Sequence, residues 1–296
     1  VDAAFEAVYH ELESEHWWFR SRRAFVRGWL KKLGAGPDTR LLDLGCASGT
    51  LLRELQAAGW SRAGGVDFSD VAVARCRENG LSGVVLGDAA DPPVGDESID
   101  MLVASDVLEH LADDALAVRR WFEVTRPGGY ALVCVPAYSW LWSDHDVVNH
   151  HYRRYTRSGL RRLMSNAGWD VAHSGYWNSA LLPAVGAVRI AQRVVRGVRG
   201  KGVSSTPSRS GVRGQLSRTR AWLDGAVGAW MSLENRWILA GGVFPAGIST
   251  YVMARKPVQT GVDPSAVQAV SHELRFDASL SPERTVGQTR SGSRAI

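Results

Sequence analysis

Apolar residues along the chain fall into short runs separated by stretches with helical spacing. Leu41, Leu42 and Leu44 form the first run, and it reads as a fully buried strand of a parallel sheet. Gly45 stops it and Gly49 follows; Leu51, Leu52 and Leu55 then share one helical face until Gly59. The alternation recurs. Residues 63–66 are a second short strand with Asp67 at its carboxyl end, and a helix over 69–79 turns Val71, Val73 and Cys76 inward. Residues 83–87 are a third strand, ending in Asp88 and Ala89. A loop of prolines and acids leads to a fourth strand over 99–104, a helix to about 124, a turn at 126–129 and a fifth strand over 130–135. Thr156 is placed to cap a helix running to 167, with Leu160 and Leu163 inward, and 169–176 is a sixth strand. Strands alternating with helices argue for a parallel sheet covered on both faces.

The flanks differ. Residues 1–33 read as helix, with Phe25, Trp29, Leu30 and Leu33 on an apolar face; the preceding His16-Trp17-Trp18-Phe19-Arg20 holds three consecutive aromatics that cannot all face one core. Residues 178–246 interrupt the core with an apolar, basic helix over about 182–199, a Gly/Ser/Arg stretch over 200–214 and a second helix over about 216–240. Residues 247–256 alternate like a strand again, and the chain beyond has the composition of a disordered tail. The expected parts are a helical cap (1–38), a ligand-binding core (39–178), a basic helical insertion or lid (179–246), a last core strand (247–257) and the tail (258–296).

The segment from Gly45 to Gly49 is a strand, a glycine turn and a helix start, where backbone N–H groups and the helix dipole suit a negative group. Its G-x-x-x-G spacing is not the G-x-G-x-x-G of a dinucleotide site. Asp43 would repel phosphate and attract an amine, so a ligand with both ammonium and carboxylate fits. Asp67 stands where a doubly wound fold binds ribose hydroxyls, and Asp88-Ala89 is placed to accept from an adenine amine.

Leu-Asp-Leu-Gly-Cys-Ala-Ser-Gly, Gly-Val-Asp-Phe-Ser, Gly-Asp-Ala, Ser-Asp-Val-Leu-Glu-His-Leu and Arg-Pro-Gly-Gly-Tyr follow in order over residues 41–130. Together they resemble the class I S-adenosylmethionine-dependent methyltransferases, in particular the bacterial small-molecule enzymes. The resemblance implies an α/β fold: a Rossmann-like doubly wound seven-stranded sheet, last strand antiparallel, with an N-terminal helical cap and a helical insertion before the last strand. It implies S-adenosyl-L-methionine as cofactor and S-adenosyl-L-homocysteine as product, held by Asp43, Gly45, Cys46, Gly49, Asp67, Phe68, Asp88, Ala89, Ser105 and Arg23. The Glu-x-x-His-Trp-Trp-Phe-x-x-Arg-Arg opening is similar to one that covers the cofactor and substrate mouth in many bacterial methyltransferases. It makes Trp18, Arg20 and Arg23 candidates at that mouth, with Trp18 and Arg20 on the substrate side; Tyr138, in the segment after the fifth strand, is a further substrate candidate.

In that family the sulfonium methyl faces the acceptor, positioning supplies much of the acceleration, and a base helps where the nucleophile must lose a proton. His110, at the end of the fourth strand, is the expected base; its alternative is packing under its own helix. His151 and Tyr155 follow, from a segment whose His-x-Arg-Arg-Tyr-Thr pattern resembles the same bacterial group, with Asp146 ahead of it. Asp106, Glu109 and His110 also resemble the divalent-ion site of ubiquinone-pathway O-methyltransferases. Asp106 replaces the usual first glutamate there and shortens the reach, and His145, His150 and His151 read as a polar lid, so a divalent metal is not favoured.

Composition adds boundaries. A chain of 296 residues suits one domain with an insertion or appendage, and a net charge of +5 does not argue for nucleic acid. Three scattered cysteines suit a reducing cytoplasm; the acid-bearing start predicts no secretory signal, and no apolar run reaches the ~20 residues that span a bilayer. Twelve tryptophans, mostly outside the strands, hint at a substrate enclosure with apolar walls. Between Ala180 and Ala221 lie Arg189, Arg193, Arg196, Arg199, Lys201, Arg209, Arg213, Arg218 and Arg220 with no acid, which suits an anionic lipid, a peripheral membrane site or a solvated lid. The acceptor is a small molecule with an oxygen, nitrogen or carbon nucleophile, and fold does not choose among quinones, sugars, polyketides and lipid-linked intermediates. The rival readings are a binding module that keeps the cofactor without turnover, and a nicotinamide-dependent oxidoreductase, against which the glycine spacing counts.

Overall fold

The computed structural model describes Glu13, residues 16–198 and residues 221–258. The expected helix before residue 13, the stretch over 200–214, the first residues of the second insertion helix and the tail after 258 lie outside the described residues.

The strands are β1 (Leu41–Leu44), β2 (Ala63–Asp67), β3 (Val84–Leu86), β4 (Ile99–Ser105), β5 (Thr125–Pro136), β6 (Asp170–Trp177) and β7 (Ser249–Arg255). They form one sheet in the order β3-β2-β1-β4-β5-β7-β6. β1 to β5 pair in parallel, and β7 runs antiparallel to both β5 and β6. Chain direction across the sheet reverses between β1 and β4, and a crevice opens at their carboxyl ends, where doubly wound sheets bind ligands. Leu44 pairs with Ala104, so Gly45 and Ser105 leave the sheet side by side.

The helices are α1 (Trp17–Lys32), α2 (Thr50–Ala57), α3 (Asp70–Glu78), α4 (Asp114–Val124), α5 (Asp144–Val148), α6 (Arg157–Asn166), α7 (Leu182–Val198) and α8 (Ala221–Leu239). Successive strand residues point to opposite faces. Met101, Val103, Leu132 and Cys134 pack with Phe25, Trp29 and Leu52 on one side; Leu102, Ala104, Ala131 and Val133 pack with Val118, Trp121, Leu160 and Met164 on the other. Trp29, Trp121, Trp169 and Trp177 are buried in these cores, so a share of the tryptophan surplus serves packing and not an enclosure. Phe25 stacks on Trp177 with centroids 5.2 Å apart, and Trp18 meets the same ring at 5.7 Å.

α1 starts at His16, whose imidazole accepts from the Trp18 N–H at 3.3 Å. α8 lies along α1: Asn235 Nδ2 donates to Ser21 O at 3.1 Å and Lys32 Nζ to Leu239 O at 2.6 Å. Among the described residues, α7 and α8 are the helices of the insertion between β6 and β7.

Candidate active site

Gly45 leaves β1 at φ +63°, and a Cβ there would come 2.7 Å from Val107 Cγ2, so the turn requires glycine. The chain turns again at Ala47 (φ +49°) and Gly49 (φ +72°) and enters α2. Asp43 is buried at the base of this turn. Burial and the neighbouring Glu13 carboxylate push its carboxyl up to about 8, against the pull of Arg22. Asp67, at the end of β2, accepts from Ala47 N–H at 2.8 Å and Ser69 N–H at 3.0 Å, which fixes the carboxylate beside the turn.

Ser48 Oγ donates to Glu13 Oε2 at 2.5 Å, and Ser48 N–H reaches the same oxygen at 3.4 Å. A carboxylate thus sits on the turn at the start of α2, where backbone N–H groups suit one. Glu13, Asp43, Gly45, Cys46 and Ala47 line one cavity with Phe19, Arg22, Arg23, Val26, Leu51, Val103, Ser105 and Asp106. Arg22 pairs with Asp106 across it. A ligand with an ammonium group, a carboxylate and vicinal hydroxyls fits these donors and acceptors: a buried acid, a turn that already holds a carboxylate, and the fixed carboxylate of Asp67.

Past β4, a short 3₁₀ turn over Leu108–His110 carries Glu109 into the interior and His110 toward the segment over 144–151. The His110 and His151 rings meet edge to face at 4.5 Å. Burial, then the charge of His151, pushes His110 down to about 4. His151 Nδ1 lies 3.0 Å from Asp146 Oδ1, and Arg154 clamps the same carboxylate through Nε at 2.7 Å and Nη2 at 3.0 Å. Burial pushes the Asp146 carboxyl up, but the hydrogen bonds from His151 and Arg154 outweigh it and hold the group below the usual carboxylate range. Neither oxygen of the buried Glu109 has a hydrogen-bond partner, and burial, then Asp106, raises its pKa well above the usual range. Glu109, His110 and His151 each bring one ligand atom within 4.8 Å of the others.

Residues 18–174 match the family model described as "Methyltransferase domain". The chain belongs to the class I S-adenosylmethionine-dependent methyltransferases. A protein of Mycolicibacterium smegmatis named a probable S-adenosylmethionine-dependent methyltransferase is 33% identical over 163 residues, 54% of this chain and 62% of that protein. An uncharacterised protein from a Streptomyces fradiae transposon is 31% identical over 247 residues, 78% of this chain and 66% of that one. The matched region therefore spans less than two thirds of either relative. The demethylmenaquinone methyltransferase of Mycobacterium tuberculosis is 27% identical over 204 residues, 56% of this chain and 83% of that enzyme. Among solved structures, a phosphoethanolamine N-methyltransferase of Haemonchus contortus with S-adenosylhomocysteine shares the fold at TM-score 0.55 and 14% identity, over 87% of this chain and 58% of that one.

Of the expected cofactor set, Asp43, Gly45, Cys46, Ser105 and Arg23 line the cavity, and Gly49 and Asp67 shape its turn. Phe68 is 72% exposed just beyond Asp67. Asp88 is turned to its own loop, accepting from Ala90 N–H at 2.8 Å, and the Ala89 carbonyl accepts from Trp121 Nε1 at 2.7 Å. Arg23 is held by Glu54 Oε1 at 2.8 Å and Glu13 O at 2.6 Å, and Arg20 is exposed; Arg22 is the arginine that crosses the crevice. Tyr138 stacks between Tyr176 and Trp140. Tyr155 donates its hydroxyl to Asp114 Oδ2 at 2.8 Å, and burial, then the Asp114 charge, pushes its pKa far up, so it serves the core and not proton transfer. Sequence reasoning missed Glu13, Arg22 and Arg154. The available signals were the Glu-x-x-His-Trp-Trp-Phe-x-x-Arg-Arg segment, which contains the first two, and the His-x-Arg-Arg-Tyr-Thr segment, which contains Arg154.

Proposed function

We propose that this chain transfers a methyl group from S-adenosylmethionine to an oxygen, nitrogen or carbon nucleophile of a small molecule, with His151 as general base. When bound, the cofactor supplies an electrophilic methyl on a sulfonium. Asp43 would hold its ammonium, the turn at Ser48 its carboxylate and Asp67 its ribose hydroxyls. The observation that carries the base is the Asp146–His151 contact at 3.0 Å. A buried, arginine-clamped carboxylate fixes the imidazole and stabilises the imidazolium formed when it takes a proton. His110, whose pKa is pushed down to about 4, lines the site as a neutral ring. The stacked Tyr138 and Tyr176, with a demethylmenaquinone methyltransferase among the relatives, favour an acceptor with a flat apolar ring. Three buried free cysteines suit a reducing cytoplasm, and the arginine-rich insertion supports peripheral association with anionic lipid.

The unpartnered Glu109 carboxyl beside His110 and His151 favours a second reading, in which the three hold a divalent ion that orients the acceptor oxygen. One series of measurements separates these. Calorimetry is expected to show S-adenosylhomocysteine binding and no NADH binding, and labelled methyl is expected to pass from S-adenosylmethionine into cell-extract fractions. His151→Ala should lower kcat by about 100-fold with cofactor affinity unchanged, and a chelator should do nothing. Loss of activity with chelator, restored by Mn²⁺ or Zn²⁺, makes the trio an ion site. Cofactor binding without any transfer makes the chain a binding module.

A further inference from the structure

A surface helix ordinarily turns its apolar stripe to the core and its charges to water. Beyond its first turn, α7 leaves apolar side chains in water beside its charges. Gly186 is buried on the Trp140 ring, Arg189 is half-buried, and Arg193, itself exposed, donates through Nη2 to Trp140 O at 2.5 Å. The outer side of α7 carries Val188, Ile190, Val194 and Val195, between 49% and 59% exposed. α8 has a second stripe. Met231, Glu234, Asn235 and Ile238 are buried, while Trp230, Leu233 and Trp237, at helical spacing, are 47%, 58% and 57% exposed. The root of α7 is tied to α8, with Ser179 N–H donating to Glu234 Oε1 at 3.1 Å.

We propose that the outward faces of α7 and α8 are the surface by which this methyltransferase lies on an anionic lipid bilayer, with both helices in the interfacial plane. The inference rests on the peripheral association proposed above and names the residues that make it. Charge complementarity selects lipid as the occupant. α7 carries Arg189, Arg193 and Arg196, with Arg193 exposed beside the apolar residues, and the sequence that follows as far as Ala221 holds six further cations and no acid. Exposed tryptophans suit the headgroup level, where an apolar ring body and an indole N–H are both satisfied. No described helix is long and apolar enough to cross a membrane, so the contact is with the surface. Trp140, on which α7 rests, follows the carboxyl end of β5, the end of the sheet that carries the ligand crevice.

The test is co-sedimentation of the full chain with vesicles of phosphatidylcholine alone or mixed with phosphatidylglycerol. Binding is expected to the anionic vesicles only, and to fall in high salt. Ile190→Asp with Val194→Asp, and Trp230→Ala with Leu233→Asp, should each weaken it by at least about tenfold. Leu116→Asp on α4, at a site 54% exposed, should bind as the parent does. S-adenosylhomocysteine affinity should be unchanged in all three, which shows that they fold and keeps this test apart from that of the methyl-transfer reading. Parent chain that ignores anionic vesicles, or binds neutral ones equally, overturns the association itself. Variants that bind like the parent leave the association and overturn this surface. A dimer in sedimentation velocity that only the α7 and α8 variants dissociate gives the surface to a second copy and overturns the lipid assignment.

Discussion

Asp43 sets a pH dependence that a surface acid would not have. An ordinary aspartate ionises near pH 3.9, whereas burial and the Glu13 carboxylate push this one up to about 8. Between about pH 4 and pH 8 the folded chain therefore keeps a proton that the unfolded chain has released, and the ligand-free fold loses stability as pH rises through that window. An ammonium ligand binds the ionised carboxylate, so binding must first drive that proton off. S-adenosylhomocysteine affinity is expected to rise by up to about tenfold per pH unit from pH 6 and to level off near pH 8. Calorimetry at pH 7 in buffers of different ionisation enthalpy should register the released proton, and Asp43→Asn should flatten the profile. Affinity that stays level with pH in the parent chain would remove Asp43 from the ammonium. Asp43, Gly45 and Asp67 were legible in the sequence because each sits at a strand end, where chain order alone fixes position. The arginine of the crevice was not. Arg20, Arg22 and Arg23 share one turn of α1, and its rotational setting, fixed by Phe25 and Trp29 in the core, decides that Arg22 meets Asp106.

The elements follow the apolar pattern closely where their caps are local. Thr156 Oγ1 accepts from Gly159 N–H at 3.0 Å and starts α6, which carries Leu160 and Met164 into the core. Thr156→Ala is expected to cost about 1 kcal/mol, lowering Tm by about 2–4 °C for a domain of this size, and Thr156→Ser to restore most of it. A thermal melt unchanged by the alanine would mean that packing alone holds the start of α6. β5 departs from the pattern. It begins at Thr125, not Tyr130, because Ile99 pairs with Thr125 and the ladder resumes at Met101 with Tyr130 after a register shift. Pro127, Gly128 and Gly129 read as a turn and hid that continuation. The insertion shows a related limit. Apolar and basic residues at helical spacing predict a helix, but the same spacing fits either rotation, and only the contact of Gly186 and Arg193 with Trp140 turns the apolar side outward.

At the scale of the molecule, contacts distant in sequence join the cap, the core and the insertion. Asn235 accepts from Trp177 Nε1 at 2.8 Å and donates to Ser21 O, linking α8, β6 and α1 through one buried side chain. His151 reaches His110 because the segment after β5 folds back over the end of β4, where Tyr152 N–H donates to Glu109 O at 2.8 Å. The sequence by itself determined the alternation of strands and helices, the glycine turn, the acids at the ends of β1 and β2, and the family they belong to. These are set by local spacing and by the rule that parallel strands present their carboxyl ends together. The tertiary structure alone decided that Glu13 lies on the turn, that Arg22 crosses the crevice, that Asp146 and Arg154 hold His151, that Tyr155 belongs to the core, and that α7 shows its apolar side to solvent. Each depends on how one packed element is rotated and seated against another, and the side chains that fix those rotations lie far away along the chain.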